Sequence, residues 1–181
     1  MRNTLHPHPD RQSATAIYIE ADVSRPKSGL LVLHYVVTGN NGALRLPTVS
    51  APVRTGGLWQ STCFEAFVQG SPDGVYFEFN FAPSTQWAAY RFDGYRTGMM
   101  PLNEIDAPRI EVQSNDAGFE LRVALDLSRL LDLPLGSPWH LGLSAVIEEK
   151  TGRKSYWALA HPAGKPDFHH SDCFALEVPT A

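Results

Sequence analysis

Alternation of apolar and polar positions organises this chain, and residues 58–95 show it most clearly. The stretch reads as three short strands joined by two turns. In the first strand Phe64, Ala66 and Val68 oppose Cys63, Glu65 and Phe67. In the second, Phe77, Phe79 and Phe81 oppose Tyr76, Glu78 and Asn80, and in the third Ala88, Tyr90 and Phe92 oppose Trp87, Ala89 and Arg91. Successive side chains of a strand face opposite sides of the sheet, so one face here is a phenylalanine-rich core layer. The other face is expected to carry Glu65, Glu78, Asn80, Trp87 and Arg91 side by side, which suits a polar ligand.

The same period recurs along the chain. Ile17, Ile19, Ala21 and Val23 share one face of a strand over 16–23. Residues 30–38 are apolar in both phases, which predicts a central strand covered on both sides. Residues 110–114 and 119–125 flank a turn over 115–118, a hairpin pattern. Asp126 and Ser128 are candidate caps of one helical turn over 126–131. In 139–147 the inward set is Leu141, Leu143, Ala145 and Ile147. Residues 155–160 then return from a turn at Thr151 and Gly152, and 173–178 form a short last strand. About nine strands at roughly 8–12-residue spacing, with little helix, predict an all-β fold, an antiparallel β-sandwich. Residues 1–14 are polar and hold Pro7 and Pro9, so a flexible arm is expected there, with one domain over 15–179.

Composition narrows the function. With 43% apolar and 19% charged residues over 181 positions, the chain is ordinary globular material able to bury one core. A net charge of −4 lacks the basic surplus of nucleic-acid binding. No apolar run approaches the ~18 residues of a membrane-spanning helix. The opening MRNTLHPHPDRQ has no apolar signal core, so a cytoplasmic location is expected. In that compartment Cys63 and Cys173 are expected to be buried thiols rather than a disulfide.

Trp59 followed by Glu65, the run Tyr76-Phe77-Glu78-Phe79, Arg91 on the next strand and the block WALAHPAGKPDFHHSDCF over 157–174 together resemble the DOMON-like superfamily. Within it they are most similar to family 9 carbohydrate-binding modules and their uncharacterised bacterial relatives. The resemblance covers 16–178. It implies a jelly-roll-like sandwich, from a superfamily that binds sugars or haem, and non-catalytic binding of a small, sugar-like molecule; no cofactor is expected. It also implies Trp59 as one stacking aromatic, Trp157 or Phe168 as a second, and Glu65 with Arg91 as the groups that bond hydroxyls. The chemistry is sound, because sugar C–H faces pack on indole, carboxylates accept from hydroxyls and guanidinium donates to them. The loop over 161–172 is expected to wall the cleft, with His161 and Lys165 closing one side.

Other readings stay open. His161, Asp167, His169, His170, Asp172 and Cys173 are metal-ligand types, without a standard spacing. Met99 or Met100 with His161 or His169 are types that ligate haem in some DOMON relatives. Glu65, Glu78 and Asp93 are carboxylates fit for glycoside chemistry, and His169, Asp172 and Ser171 for hydrolysis, without a local signature. An exposed edge or aromatic patch would instead dock another protein.

Overall fold

A computed structural model describes residues 2–72, 74–115 and 118–181. The strands are β1 (Arg2–Pro7), β2 (Ile17–Lys27), β3 (Leu30–Gly39), β4 (Cys63–Gln69), β5 (Tyr76–Phe81), β6 (Trp87–Phe92), β7 (Met100–Pro101), β8 (Arg109–Asn115), β9 (Gly118–Asp126), β10 (Trp139–Glu148), β11 (Lys154–Ala158) and β12 (Leu176–Val178). Every pair of named strands is antiparallel, and the hydrogen-bonded order is β7-β6-β5-β4-β10-β11-β1-β2-β3-β9-β8, with β12 on β10. The path curls so that two sheets face each other, as the alternation predicts. Helix is confined to three single 3-10 turns among the described residues.

Between the sheets lies one continuous apolar layer. Ile17, Ile19, Ala21 and Val23 of β2, Leu31, Leu33, Tyr35 and Val37 of β3, and Phe119, Leu121, Val123 and Leu125 of β9 supply one side. Phe64, Ala66 and Val68 of β4, Phe77, Phe79 and Phe81 of β5, and Leu141, Leu143, Ala145 and Ile147 of β10 supply the other. Phe64 sits at the middle of the contact, its ring 5.1 Å from that of Tyr35 and 5.7 Å from that of Phe119. Burying a side chain of this size is worth about 1.5–3 kcal/mol, so this layer contributes most of what holds the two sheets together.

Three local expectations change, and a fourth falls partly outside the described residues. Residues 2–7 are not a loose arm but strand β1, which pairs β2 through Arg2–Leu5 and β11 through His6 and Pro7. It is the strand that passes from one sheet to the other and joins them. Its polar residues face outward and only Leu5 enters the core, too little for a hydrophobic pattern to register. β3 is covered on one side only: Leu31, Leu33, Tyr35 and Val37 are buried, whereas Val32, His34 and Val36 are half-exposed. Residues 126–131 form turns rather than a helix, and Asp126 Oδ1 accepts from the Ser128 amide at 2.9 Å. In the turn expected over 115–118, Asp116 and Ala117 lie outside the described residues, while Asn115 and Gly118 pair across it.

Leu5 is 1% exposed. Leu5→Ala is therefore expected to lower the unfolding free energy by roughly 2–5 kcal/mol, as for a buried core leucine. Urea denaturation measures it; a change below about 0.5 kcal/mol would return the segment to the status of an arm.

Candidate functional site

The outer face of β4, β5, β6, β10 and β11 carries the site. On β4 and β5 the alternation puts Glu65, Phe67, Tyr76, Glu78 and Asn80 on this face, with Glu65 directly across from Asn80 and Phe67 across from Glu78. On β6 the phase is the reverse of the one expected. Phe81 pairs with Trp87 and Phe77 with Arg91, so Trp87, Ala89 and Arg91 lie on the core side. Trp87 is buried in the main core beneath the Arg54 guanidinium, 4.3 Å from its ring centroid. Arg91 sits at the core's margin, with Nε donating to Asp132 Oδ2 at 3.0 Å and Nη1 to Asp93. Tyr90 and Phe92 take their places on the outer face, opposite Glu78 and Tyr76. Trp157 is likewise on the inner side, across from Ala145 and within the core, its indole N–H donating to Ser155 Oγ at 2.9 Å. Tyr156, its neighbour, faces out.

The chain from 159 to 175 folds down over this face. Gly142 makes that possible: a Cβ there would lie 3.0 Å from the Cys173 carbonyl oxygen, so a side chain on β10 would lift the loop off the sheet. Phe168, His169 and Phe174 pack onto Phe67, Tyr76 and Phe92, with His169 edge-on to Phe67 and to Phe92 at 5.0 Å each. The Cys173 thiol lies within reach of the Ala160 and Asp167 carbonyls at 3.3 and 3.2 Å, and its one proton bridges between the two limbs of the loop. Both cysteines are free and buried, as expected of inert thiols. Burial pushes the Cys173 thiol up to about 12.

Between loop and sheet lies a cleft of about 400 Å³. Glu65 and Glu78 form part of its floor, Phe92, Val146, Tyr156, Pro166, Phe168 and His169 its walls, and Trp59, Arg96 and Met99 its mouth. Trp59 follows the left-handed Gly57 in a 3-10 turn over Leu58–Gln60 that sets its ring 53% exposed. Of the ten residues expected at the site, Trp59, Glu65, Glu78 and Phe168 thus come together at one cleft. Asn80 stands behind them, its amide donating to Glu78 Oε1 at 2.6 Å. His161 is turned away, its Nε2 on the His6 carbonyl oxygen at 2.8 Å and its ring edge-on to His8. Lys165 lines neighbouring depressions rather than the cleft.

Arg96 is the guanidinium at the mouth, and pattern reasoning missed it. After β6 the chain reverses in a tight turn, Asp93 N–H donating to Thr97 O and Thr97 N–H to Gly94 O at 3.0 Å each. Arg96 is held there at φ 52°, an uncommon conformation for a residue with a Cβ. Its Nη2 donates to Asp167 Oδ1 at 2.7 Å, and the Tyr95 hydroxyl reaches Asp167 Oδ2, tying the turn to the loop. The only sequence signal was the turn pattern Asp93-Gly94 followed by Gly98.

The floor is electrostatically unusual. Glu65 is 3% exposed and Glu78 6%. Burial, then the neighbouring Glu78 charge, lifts the Glu65 carboxyl well above its ordinary value of 4.5, against a hydrogen bond from Ser144. Burial also raises Glu78, opposed by the Asn80 hydrogen bond and the Arg96 charge. Two neighbouring carboxyls in a water-poor site resist ionising together, so the floor offers both a donor and an acceptor. His169 goes the other way, to about 4, through burial and the Arg96 charge. The Arg96 amide donates to the Tyr76 hydroxyl at 3.2 Å. The hydroxyl is in turn hydrogen-bonded to His169 Nδ1 at 2.8 Å, so the ring turns its other nitrogen, Nε2, away from Tyr76. That nitrogen faces Glu78 Oε2 at 3.7 Å, beyond hydrogen-bond range. Among the described residues no three His, Cys, Asp or Glu side chains converge as metal ligands.

No family model matches the chain, and no curated protein matches it. Solved structures do. A "putative carbohydrate-binding protein" of Bacteroides uniformis superposes with a TM-score of 0.69 at 14% identity, covering 100% of this chain and 86% of that one. A family 9 carbohydrate-binding module of Caldicellulosiruptor kristjanssonii in complex with glucose gives 0.55 at 9% identity, over 98% and 84% of the two chains. The same organism's family 9 module in complex with cellotriose gives 0.58 at 10% identity, over 99% and 82%. The fold is carbohydrate-binding-module-like. At these identities the likeness is one of backbone path, and the cleft side chains are this chain's own.

A carboxyl raised by folding stabilises the protein most below its unfolded value and loses that contribution as pH rises through the folded value. Wild type therefore carries a destabilising slope from Glu65 above about pH 4.5, at most about 1.4 kcal/mol per pH unit. Glu65→Gln removes it, so the stability of the variant relative to wild type should grow between pH 5 and 8. Denaturant midpoints across that range measure the difference; a pH-independent difference would overturn the buried acid. The His169 contribution has the opposite sign, present above 6.5 and lost as pH falls through about 4, and it cancels in this comparison.

Proposed function

We propose that this protein binds a saccharide in the cleft between the loop and the outer sheet face, without transforming it. One observation carries the proposal: a half-exposed tryptophan stands over a floor of two buried carboxyls beside a guanidinium. That is the mixture a sugar ring needs, an apolar plate for its C–H face and a donor–acceptor set for its hydroxyls. Trp59 stacks on the ring, Glu65 and Glu78 exchange hydrogen bonds with adjacent hydroxyls, and Arg96 donates from the rim. Tyr156 and Phe168 bound the ring on the far side. The fold likeness to modules in complex with glucose and cellotriose supports the ligand class.

The acid pair also favours a second reading. A carboxyl held protonated beside another in a cleft is the arrangement of glycoside acid catalysis. Hydrolysis of nitrophenyl glycosides by wild type, abolished in Glu65→Gln, would replace binding by catalysis.

Calorimetric titration with glucose and with cellotriose tests the cleft. Trp59→Ala is expected to weaken binding about tenfold, the loss of roughly 1.4 kcal/mol of stacking and burial. Arg96→Gln should weaken it by several-fold, whereas Arg91→Ala, on the core side, should leave it unchanged. Unaltered affinity in both Trp59→Ala and Arg96→Gln, or a wild-type protein that binds no sugar on a glycan array, would overturn the proposal.

A further inference from the structure

On the far side of Tyr156 and Pro166, which line both, the cleft adjoins a second, shallower depression of about 770 Å³, bounded by the segment after β1, the tip of the β10–β11 hairpin and the 161–172 loop. Four cations line it, Arg11, Arg153, Lys154 and Lys165, against one carboxylate, Asp10. This local excess stands in a chain whose net charge is −4.

The four are also unspent. Arg2, Arg45, Arg91, Arg96, Arg109, Arg122 and Arg129 each lie within ion-pairing distance of a carboxylate. Arg25 and Arg54 lie over the rings of Trp139 and Trp87. Among the described residues, the arginines left with neither kind of partner are Arg11 and Arg153, and both line this depression. Arg153 makes one neutral contact, Nε to the Gln12 carbonyl at 3.2 Å. Lys154 and Lys165 form no ion pair among the described residues either.

We infer that this depression is an anion subsite adjoining the cleft, so that the ligand is a saccharide bearing a carboxylate, sulfate or phosphate group that reaches across Tyr156 and Pro166. The inference rests on the saccharide reading of the cleft and adds the ligand's charge and direction. Guanidinium presents a planar fork that matches such oxyanions with two parallel hydrogen bonds, and lysine adds a point charge. The floor of the cleft gives the ligand its polarity. Glu65 and Glu78 repel an anionic group, so the uncharged ring lies over them with the charged end beyond Tyr156. Attraction at one end and repulsion at the other select one orientation, which is the part of recognition that charge serves best.

Calorimetry with glucose, glucuronate, glucose 6-phosphate, cellotriose, trigalacturonate and inorganic phosphate, in wild type, Arg11→Gln/Arg153→Gln and Trp59→Ala, tests it. At low ionic strength at least one anionic sugar should bind about tenfold tighter than its neutral counterpart, and the set separates uronate from phosphate ester. The preference should vanish in the double variant with neutral-sugar affinity unchanged. It should also fade toward 1 M salt, where screening acts within about 3 Å. Neutral sugars binding as tightly as every anionic one, or a preference that survives in the double variant, would overturn the subsite. Anion binding lost in the double variant but intact in Trp59→Ala, with no neutral sugar bound, would keep the subsite and overturn the saccharide cleft. No binding of any probe would overturn both.

Discussion

The cleft depends on a contact on the other side of the sheet. Phe64 is clamped between Tyr35 and Phe119 of the facing sheet. The Tyr35 hydroxyl, inside the core, donates to the backbone carbonyl of Glu65 at 2.7 Å. Those interactions fix the phase of β4. A slip of one residue would send Glu65 into the apolar layer and Phe64 into the cleft, so the core's demand for a ring at 64 places a carboxyl at 65. β5 follows through its register with β4, and Glu78 arrives beside Glu65 for the same reason. The polar floor is the obligatory reverse side of the phenylalanine layer.

Keeping that floor costs stability. Two carboxyls are withheld from water by a loop that the sheet itself seats through the absence of a side chain at Gly142. The loop is held by rings, by backbone carbonyls and by one ion pair: Phe168 and His169 on the aromatic face, the Cys173 thiol between two carbonyls, and Asp167 on Arg96. An imidazole that stays neutral suits this position, since a charged one would have to be desolvated next to Arg96. Buried groups whose protonation is displaced by burial gather at binding and catalytic sites, because a dry carboxyl forms stronger hydrogen bonds with a ligand than a wet one does. The energy withheld from folding is available to whatever satisfies those groups.

Much of this was legible in the alternation. The sandwich, the Phe64–Phe77–Phe79–Phe81 layer and the shared face of Glu65, Glu78 and Asn80 all follow from a period of two with one phase plainly apolar. β6 and β11 resisted for a physical reason. Trp87-Ala88-Ala89-Tyr90-Arg91-Phe92 has rings in both phases, so its period is visible and its phase is not. The phase comes from the reversal at 82–86, where the Ala82 amide bonds to Gln86 O and Thr85 takes a positive φ, and it sets Phe81 against Trp87. In Ser155-Tyr156-Trp157-Ala158 two aromatics again stand in opposite phases, and pairing with Val146 and Ala145 decides between them. Arg96 lay beyond reach altogether. Its position comes from a turn that closes on the 161–172 loop, and such a contact between distant segments leaves no periodic trace.

The likeness to carbohydrate-binding modules at 9–14% identity therefore says less about ligand than about scaffold. A sheet face with a loop folded over it is a general solution for making a cleft, and fold alone does not choose its occupant. Under the proposed anion subsite, what chooses is the distribution of charge between the cleft and the depression beside it. The acidic floor is buried and the cations lie beyond Tyr156, an ordering opposite to that of a folded surface that neutralises itself. Most arginines in this chain have found a carboxylate. Arg11 and Arg153 share a depression with Asp10, and that depression adjoins the cleft of Glu65 and Glu78, yet they pair with none of the three. A protein that folds as an antiparallel sandwich has no need of that separation, since pairing surface charges would cost it nothing in packing. The separation makes physical sense for a molecule with a neutral end and a charged one.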